Sequence, residues 1–224
     1  MKKLTIKKII EFRGKTDKAK KKFATDLKAN KAEPKPKSGG DYWQIAVSAI
    51  AKAYKQKDLQ IITDKIKEFE EKMPGVKHPA TRIQYKANIE LLNKYENFDF
   101  KKWTPNQKIR TEKNHKTVLT TRDLLVESAP QHVYSFGKKD DQNEIGGIWF
   151  IAKKDGYKIE EMGMFADILS RYLKSQYGKD YTLNPRYCIA VDLVGNYNVN
   201  YSQLQSGEVS PLLNKTIDEI KKLM

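Results

Sequence analysis

The chain has 224 residues, 39% of them hydrophobic and 32% charged, and a formal net charge of +15. That length can bury one sizeable core, and no apolar run approaches the roughly 20 residues that a membrane-spanning helix needs. The single cysteine, Cys188, excludes an intrachain disulfide framework and points to a reducing, cytoplasmic setting.

The first 37 residues hold 14 Lys or Arg against 4 acids, while the other 187 hold 29 against 24, so two thirds of the excess charge lies in one sixth of the chain. A local excess of this kind suggests a negatively charged partner. "MKKLTIKKII" opens like a leader, but Lys7 and Lys8 interrupt its apolar stretch. The spacing instead predicts two short helices. Thr5 caps the first, Ile6, Ile9 and Ile10 form its stripe, and Gly14 stops it. Ala19, Phe23 and Leu27 line the second. Around them Arg13, Lys15, Lys18, Lys20, Lys21, Lys22 and Lys28 supply a basic face. "AEPKPKSGG" then reads as a linker, because Pro34 and Pro36 forbid helix and Gly39 and Gly40 loosen the chain.

Residues 41–97 read as a helical block. Asp41 would cap a helix with Trp43, Val47, Ile50 and Tyr54 on one side, and Leu59, Ile62, Ile66, Phe69 and Met73 line a second, stopped by Pro74 and Gly75. A third carries Ile83, Ala87, Leu91 and Tyr95. Short β-branched and aromatic runs follow: "TVLTTRDLLVES", "QHVYSFG" and "IGGIWFIAKK". "IEEMGMFADILSRYLKSQYG" is helical, with Met162, Phe165, Ile168, Leu169 and Tyr172 inward. "RYCIAVDLVG" is a buried strand, "YNVNY" a further short strand, and "PLLNKTIDEIKKLM" a closing helix. The expected class is α/β (α+β): N-terminal helices, then a mixed sheet of about four to five strands with a crossover helix, an αβββαβ-like core. The expected organisation is a basic helical arm over 1–33, a linker over 34–40 and a single α/β domain over 41–224. Within that domain, 41–97 is helical and 98–224 contains the sheet.

Catalytic patterns are sparse. His78, His115 and His132 share no metal-ligand spacing with one another or with Cys188, so no metal is expected. Cys188 lies in an apolar run and reads as a small buried hydrophobe. Nucleophile-elbow, Walker-type and dinucleotide glycine patterns are absent. Gly137, Gly146 and Gly147 read as bracketing a hairpin connection. Asp192 interrupts a buried strand, where a carboxylate needs a partner; Arg171, Arg186, a metal or a strand end would each serve. Glu160 and Glu161 open a helix, where the dipole favours carboxylates.

The order of helix, three strands, helix and strand over roughly residues 80–195 resembles the core of the PD-(D/E)XK nuclease superfamily. The resemblance implies a metal-binding Asp near the second strand and Glu-x-Lys on the third. With Lys153 at the lysine position, Ile151 stands where the carboxylate belongs, and "HVYSFG" carries no acid. Asp140, Asp141 and Glu144 sit in the polar turn between these strands. The stretches "KKIIEFRGKTDKAKKKF", "DYWQIAVSAIAKAY", "HVYSFG", "IGGIWFIAKKDGYKIEEMGMFADIL" and "NPRYCIAVDLVGNYNVNY" also resemble an uncharacterised family of bacterial proteins, which implies a bacterial, cytoplasmic setting and no particular residue role.

The leading expectation is a non-enzymatic nucleic-acid-binding or accessory protein, in phage defence or regulation, without a cofactor. It would hold DNA or RNA phosphates through the seven basic residues, which are mostly Lys and so suited to positioning rather than base reading. Two alternatives stand beside it: a diverged metal-dependent nuclease, and a protein-interaction module whose helices 41–97 face a protein partner.

Overall fold

The computed structural model describes residues 3–29, 42–137 and 143–224. It opens with a two-residue strand, β1 (Leu4–Thr5), and two helices, α1 (Ile6–Arg13) and α2 (Asp17–Lys28). Three helices follow: α3 (Gln44–Gln56), α4 (Gln60–Lys72) and α5 (Pro79–Asn93). Strands β2 (Ile109–Glu112), β3 (Thr117–Thr121), β4 (Leu124–Ser128), β5 (His132–Phe136) and β6 (Glu144–Ile151) lead to the long helix α6 (Ile159–Tyr177). Then come β7 (Thr182–Asp192), β8 (Tyr197–Asn200), a short α7 (Tyr201–Gln205) and α8 (Leu212–Lys222).

The mixed α/β class expected from the pattern is what the chain adopts. A five-stranded sheet runs β2-β5-β6-β7-β8 in chain order. Its first three strands are antiparallel neighbours, β7 pairs parallel to β6, and β8 turns back antiparallel. Two parallel strands need a long crossover, and the intervening helix α6 packs against both β6 and β7. β6 and β7 are covered on both faces, which is why they read as continuous apolar runs. One face carries α6, α1 and α8 over Ile145, Ile151, Cys188 and Ala190; the other carries α3–α5 over Ile148, Phe150, Ile189 and Val191.

A second sheet, ordered β1-β4-β3, was not foreseen. "TVLTTRDLLVES" is not one strand but a hairpin, with Thr121 paired to Leu124 across a two-residue turn. Arg122 and Asp123 both hold positive φ, 47° and 65°, as a turn matched to the twist of a hairpin requires. Gly146 and Gly147 also depart from expectation, for they lie inside β6 rather than at a turn. A Cβ on Gly146 would stand 2.7 Å from the Tyr187 carbonyl oxygen, at the shift in register between β6 and β7.

The basic arm expected over 1–33 does not stand apart in its first half. β1 pairs parallel with β4, Leu4 opposite Val126. Leu4, Ile6, Ile9, Ile10 and Phe12 are buried in the same cluster as Phe165, Leu169 and Ile217. Their apolar stripe needed a partner face, and α6 and α8 provide it. The linker over 34–40 lies outside the described residues, as does the expected cap Asp41.

The helical block matches the periodicity except in α5. Ile83 is 61% exposed, whereas Leu91 and Tyr95 of the same expected stripe are buried, together with Asn88 and Leu92. Asn88 is fully buried because it serves α3: its Oδ1 accepts the Ala46 N–H at 3.0 Å, while its Nδ2 donates to the carbonyls of Tyr42 and Gln84, both at 2.8 Å. A helix N-terminus leaves N–H groups unpaired, and here one of them is capped from a different helix.

Candidate functional site

The seven basic residues do not share one face. The Phe23, Ala24 and Leu27 side of α2 turns inward, with Ala24 and Leu27 buried. This carries the flanking cations onto α8 and the chain end. Lys20 Nζ lies 2.7 Å from Glu219 Oε1 and 5.3 Å from the centre of the Phe12 ring. Arg13 donates to Thr216 Oγ1 at 3.0 Å, and Lys28 to the Met224 carbonyl at 2.8 Å. Lys15 is half-buried. Lys18, Lys21 and Lys22, on the opposite side, are exposed and have no ion pair among the described residues. Spaced three and four residues apart, Lys18 with Lys21 and Lys22 forms one turn-long patch.

A cavity of about 660 Å³ opens at the C-terminal end of β6. Lys7 and Glu11 of α1 line it, with Lys153, Lys154, Tyr157 and Glu161 from the β6–α6 turn and the start of α6. Glu161 is already engaged. Its Oε2 accepts the Lys158 N–H at 3.0 Å in a capping box and stands 3.5 Å from Lys153 Nζ. Lys153 also lies over the Tyr157 ring, 4.9 Å from its centre. Burial pushes the Tyr157 hydroxyl well above its ordinary pKa, and the nearby charges of Asp192, Glu161 and Glu11 push the same way, so it keeps its proton.

Asp192 stands at the strand end, as one expectation had it, and its carboxylate is held by backbone N–H groups rather than by Arg171 or Arg186. Oδ1 accepts the N–H groups of Val194 and Gly195 at 3.0 and 3.1 Å, and Oδ2 accepts that of Tyr157 at 2.6 Å. Three backbone donors satisfy the buried carboxylate and tie the β6–α6 turn to the end of β7. Gly156 and Gly195 make room for it, since a Cβ on either would stand 2.8 Å from Oδ2. Arg171 pairs with Asp167 at 2.8 Å and also donates to Asn214, on another side of α6.

No family model, no curated protein and no solved structure matches this chain.

Of the nuclease-like positions, the one that would hold the strand carboxylate is core. Ile151 is buried, Glu144 accepts from Asn184 Nδ2 at 3.0 Å, and Asp140 and Asp141 lie outside the described residues. Among the described residues no group of three His, Cys, Asp or Glu comes together as a metal site. His132 and Cys188 lie on opposite faces of the large sheet. Cys188 is packed under α6, and burial pushes its thiol up. His132 stacks on Tyr54 and holds the Ala51 carbonyl at 2.7 Å. His78 and His115 are exposed and far apart in the chain.

Proposed function

We propose that the protein binds nucleic acid through the phosphate backbone, with Lys18, Lys21 and Lys22 of α2 as the contacting residues and Lys15 beside them. The carrying observation is that these three exposed cations share one side of a helix without a carboxylate partner among the described residues. A phosphate backbone asks for clustered positive charge and little else. Seating α2 on α8 holds that charge on a rigid element, which lowers the entropy lost on binding. Arg13 on α1 and Lys20 and Lys28 on α2 are instead engaged with α8 and the residues after it. Lys side chains without Asn, Gln or Arg at the same surface position a strand rather than read its bases.

Fluorescence anisotropy with a labelled double-stranded oligonucleotide tests this reading. Three phosphate contacts predict a loss of about 40-fold in affinity between about 50 and 200 mM salt. Lys18→Glu, Lys21→Glu and Lys22→Glu together should abolish binding while leaving the melting temperature near that of the parent. Affinity that ignores salt, or that survives the triple substitution, would refute the reading.

A further inference from the structure

A donor-rich cavity lies on the other side of the large sheet from α2, where the chain between α5 and β2 crosses β7 and β8. Its floor is set by a 3-10 turn, Phe100–Trp103, whose start is capped by Asp99 accepting the Lys101 N–H at 3.0 Å. Trp103 is buried and donates its indole N–H to Asn198 Oδ1 at 3.2 Å, which pins the turn to β8. The two lysines before Trp103 are thereby brought to Arg186 on β7. Lys101, Lys102, Arg186, Asn106, Asn198 and Asn200 line a cavity of about 290 Å³, and no carboxylate is among its lining residues.

The carboxamides strengthen the sign of this site. Asn198 Oδ1 is occupied by the Trp103 indole, and Asn200 Oδ1 by the Gln203 N–H and the Ser202 hydroxyl at the start of α7. An oxygen must face those donors, so the N–H₂ of each side chain has no hydrogen-bond partner among the described residues. Thr104 donates its hydroxyl to the Phe100 carbonyl. Lys101, Lys102 and Arg186 have no ion pair among the described residues. Lys102 rests over the Phe98 ring, 5.5 Å from its centre. Three uncompensated cations and two amide donors around one small space suit a phosphate.

A second cavity, about 490 Å³, shares Lys101, Thr104 and Asn106 with the first and is lined by Tyr54, Phe98 and Phe100. One acid, Asp99, lines that side and accepts the Lys101 N–H through Oδ1. An anion-binding space joined to an aromatic one matches the two halves of a nucleotide, since bases pack on aromatic faces while the phosphate takes charged donors. We infer that this pair of cavities binds a nucleotide unit, with its phosphate at Lys101, Lys102 and Arg186 and its base against Phe98 and Phe100. The unit is either a free nucleotide or one residue of a single strand. The site does not depend on the α2 reading, whose lysines belong to another layer of the molecule.

Calorimetric titration of the full chain with AMP, ribose 5-phosphate and an oligo(dA) strand tests the assignment. AMP binding should weaken at least tenfold in Lys102→Gln/Arg186→Gln, whose exposed side chains make no ion pair among the described residues, and stay unchanged in the Lys18, Lys21 and Lys22 triple variant; oligo(dA) is titrated in that triple variant, where Lys102→Gln/Arg186→Gln should weaken it equally. Binding of AMP identifies a free nucleotide, and binding of oligo(dA) alone identifies a strand. Two results would overturn the inference: affinity for both probes that is absent or indifferent to Lys102→Gln/Arg186→Gln, or ribose 5-phosphate binding as tightly as AMP.

Discussion

Asn88 and His132 show how a single buried polar side chain acquires its role from a distant backbone. Asn88 closes the start of α3 by accepting the Ala46 N–H and meets two carbonyls with its own amide. Asn88→Ala leaves the buried Ala46 N–H without its acceptor and takes one donor from each of the Tyr42 and Gln84 carbonyls, and unfolding in urea should register a loss of about 1–3 kcal/mol. Asn88→Asp should recover the Ala46 contact but not the two carbonyl contacts. His132 is held neutral: burial, the larger cause, and the charge of Lys55 pull its pKa below the ordinary value, against a smaller opposing effect of the Ala51 carbonyl. The unfolded chain therefore binds a proton that the folded one resists. Stability should be flat above about pH 6.5 and fall as the pH drops below that, levelling once the folded imidazole also protonates. Urea midpoints measured from pH 7 to 5 should lose this slope in His132→Gln. Glu68, held down to about 2 by Lys65 and Lys72, acts only in the more acidic carboxylate range and leaves that window clear.

At the scale of elements, α1 and α2 have the same lysine-rich wording but different tasks. β1 and α1 bury Leu4, Ile6, Ile9, Ile10 and Phe12, and at about 2 kcal/mol for each side chain this is on the order of 10 kcal/mol, as large as the net stability of an ordinary domain. Deleting residues 1–13 should therefore abolish cooperative melting by circular dichroism. A dispensable basic arm would instead leave the remaining fold melting as before. α2 adds less apolar burial and displays more charge. Its ion pair to Glu219 is partly exposed, worth no more than about 1 kcal/mol, so the apolar seat on α8 does most of the holding. The helices and the two buried strands were legible from their periodicity. In α5 the expected stripe held at Leu91 and Tyr95 but failed at Ile83, which faces solvent, and it omitted the buried polar Asn88.

Across the whole molecule, the large sheet divides the core into two layers, and the division decides what can meet. Cys188 under α6 and His132 under α3 are separated by the sheet itself, so no thiol–imidazole pair forms. The same layering sets α2, seated with α8, on one side and the Lys101, Lys102 and Arg186 cavity on the other. Local pattern was enough to determine that this chain is α/β, which residues of α6, β6 and β7 are core, and that positive charge gathers near residues 13–28. These follow from hydrophobic spacing and composition, which depend on neighbours along the chain. The tertiary structure alone decided that β1 and α1 belong to the core, that Arg13, Lys20 and Lys28 are engaged with α8 and the residues after it, that Asp192 answers to three backbone N–H groups, and that Lys101 and Lys102 join Arg186. Apart from the Val194 and Gly195 N–H groups beside Asp192, these depend on contacts between residues tens to hundreds of positions apart, which no local period encodes.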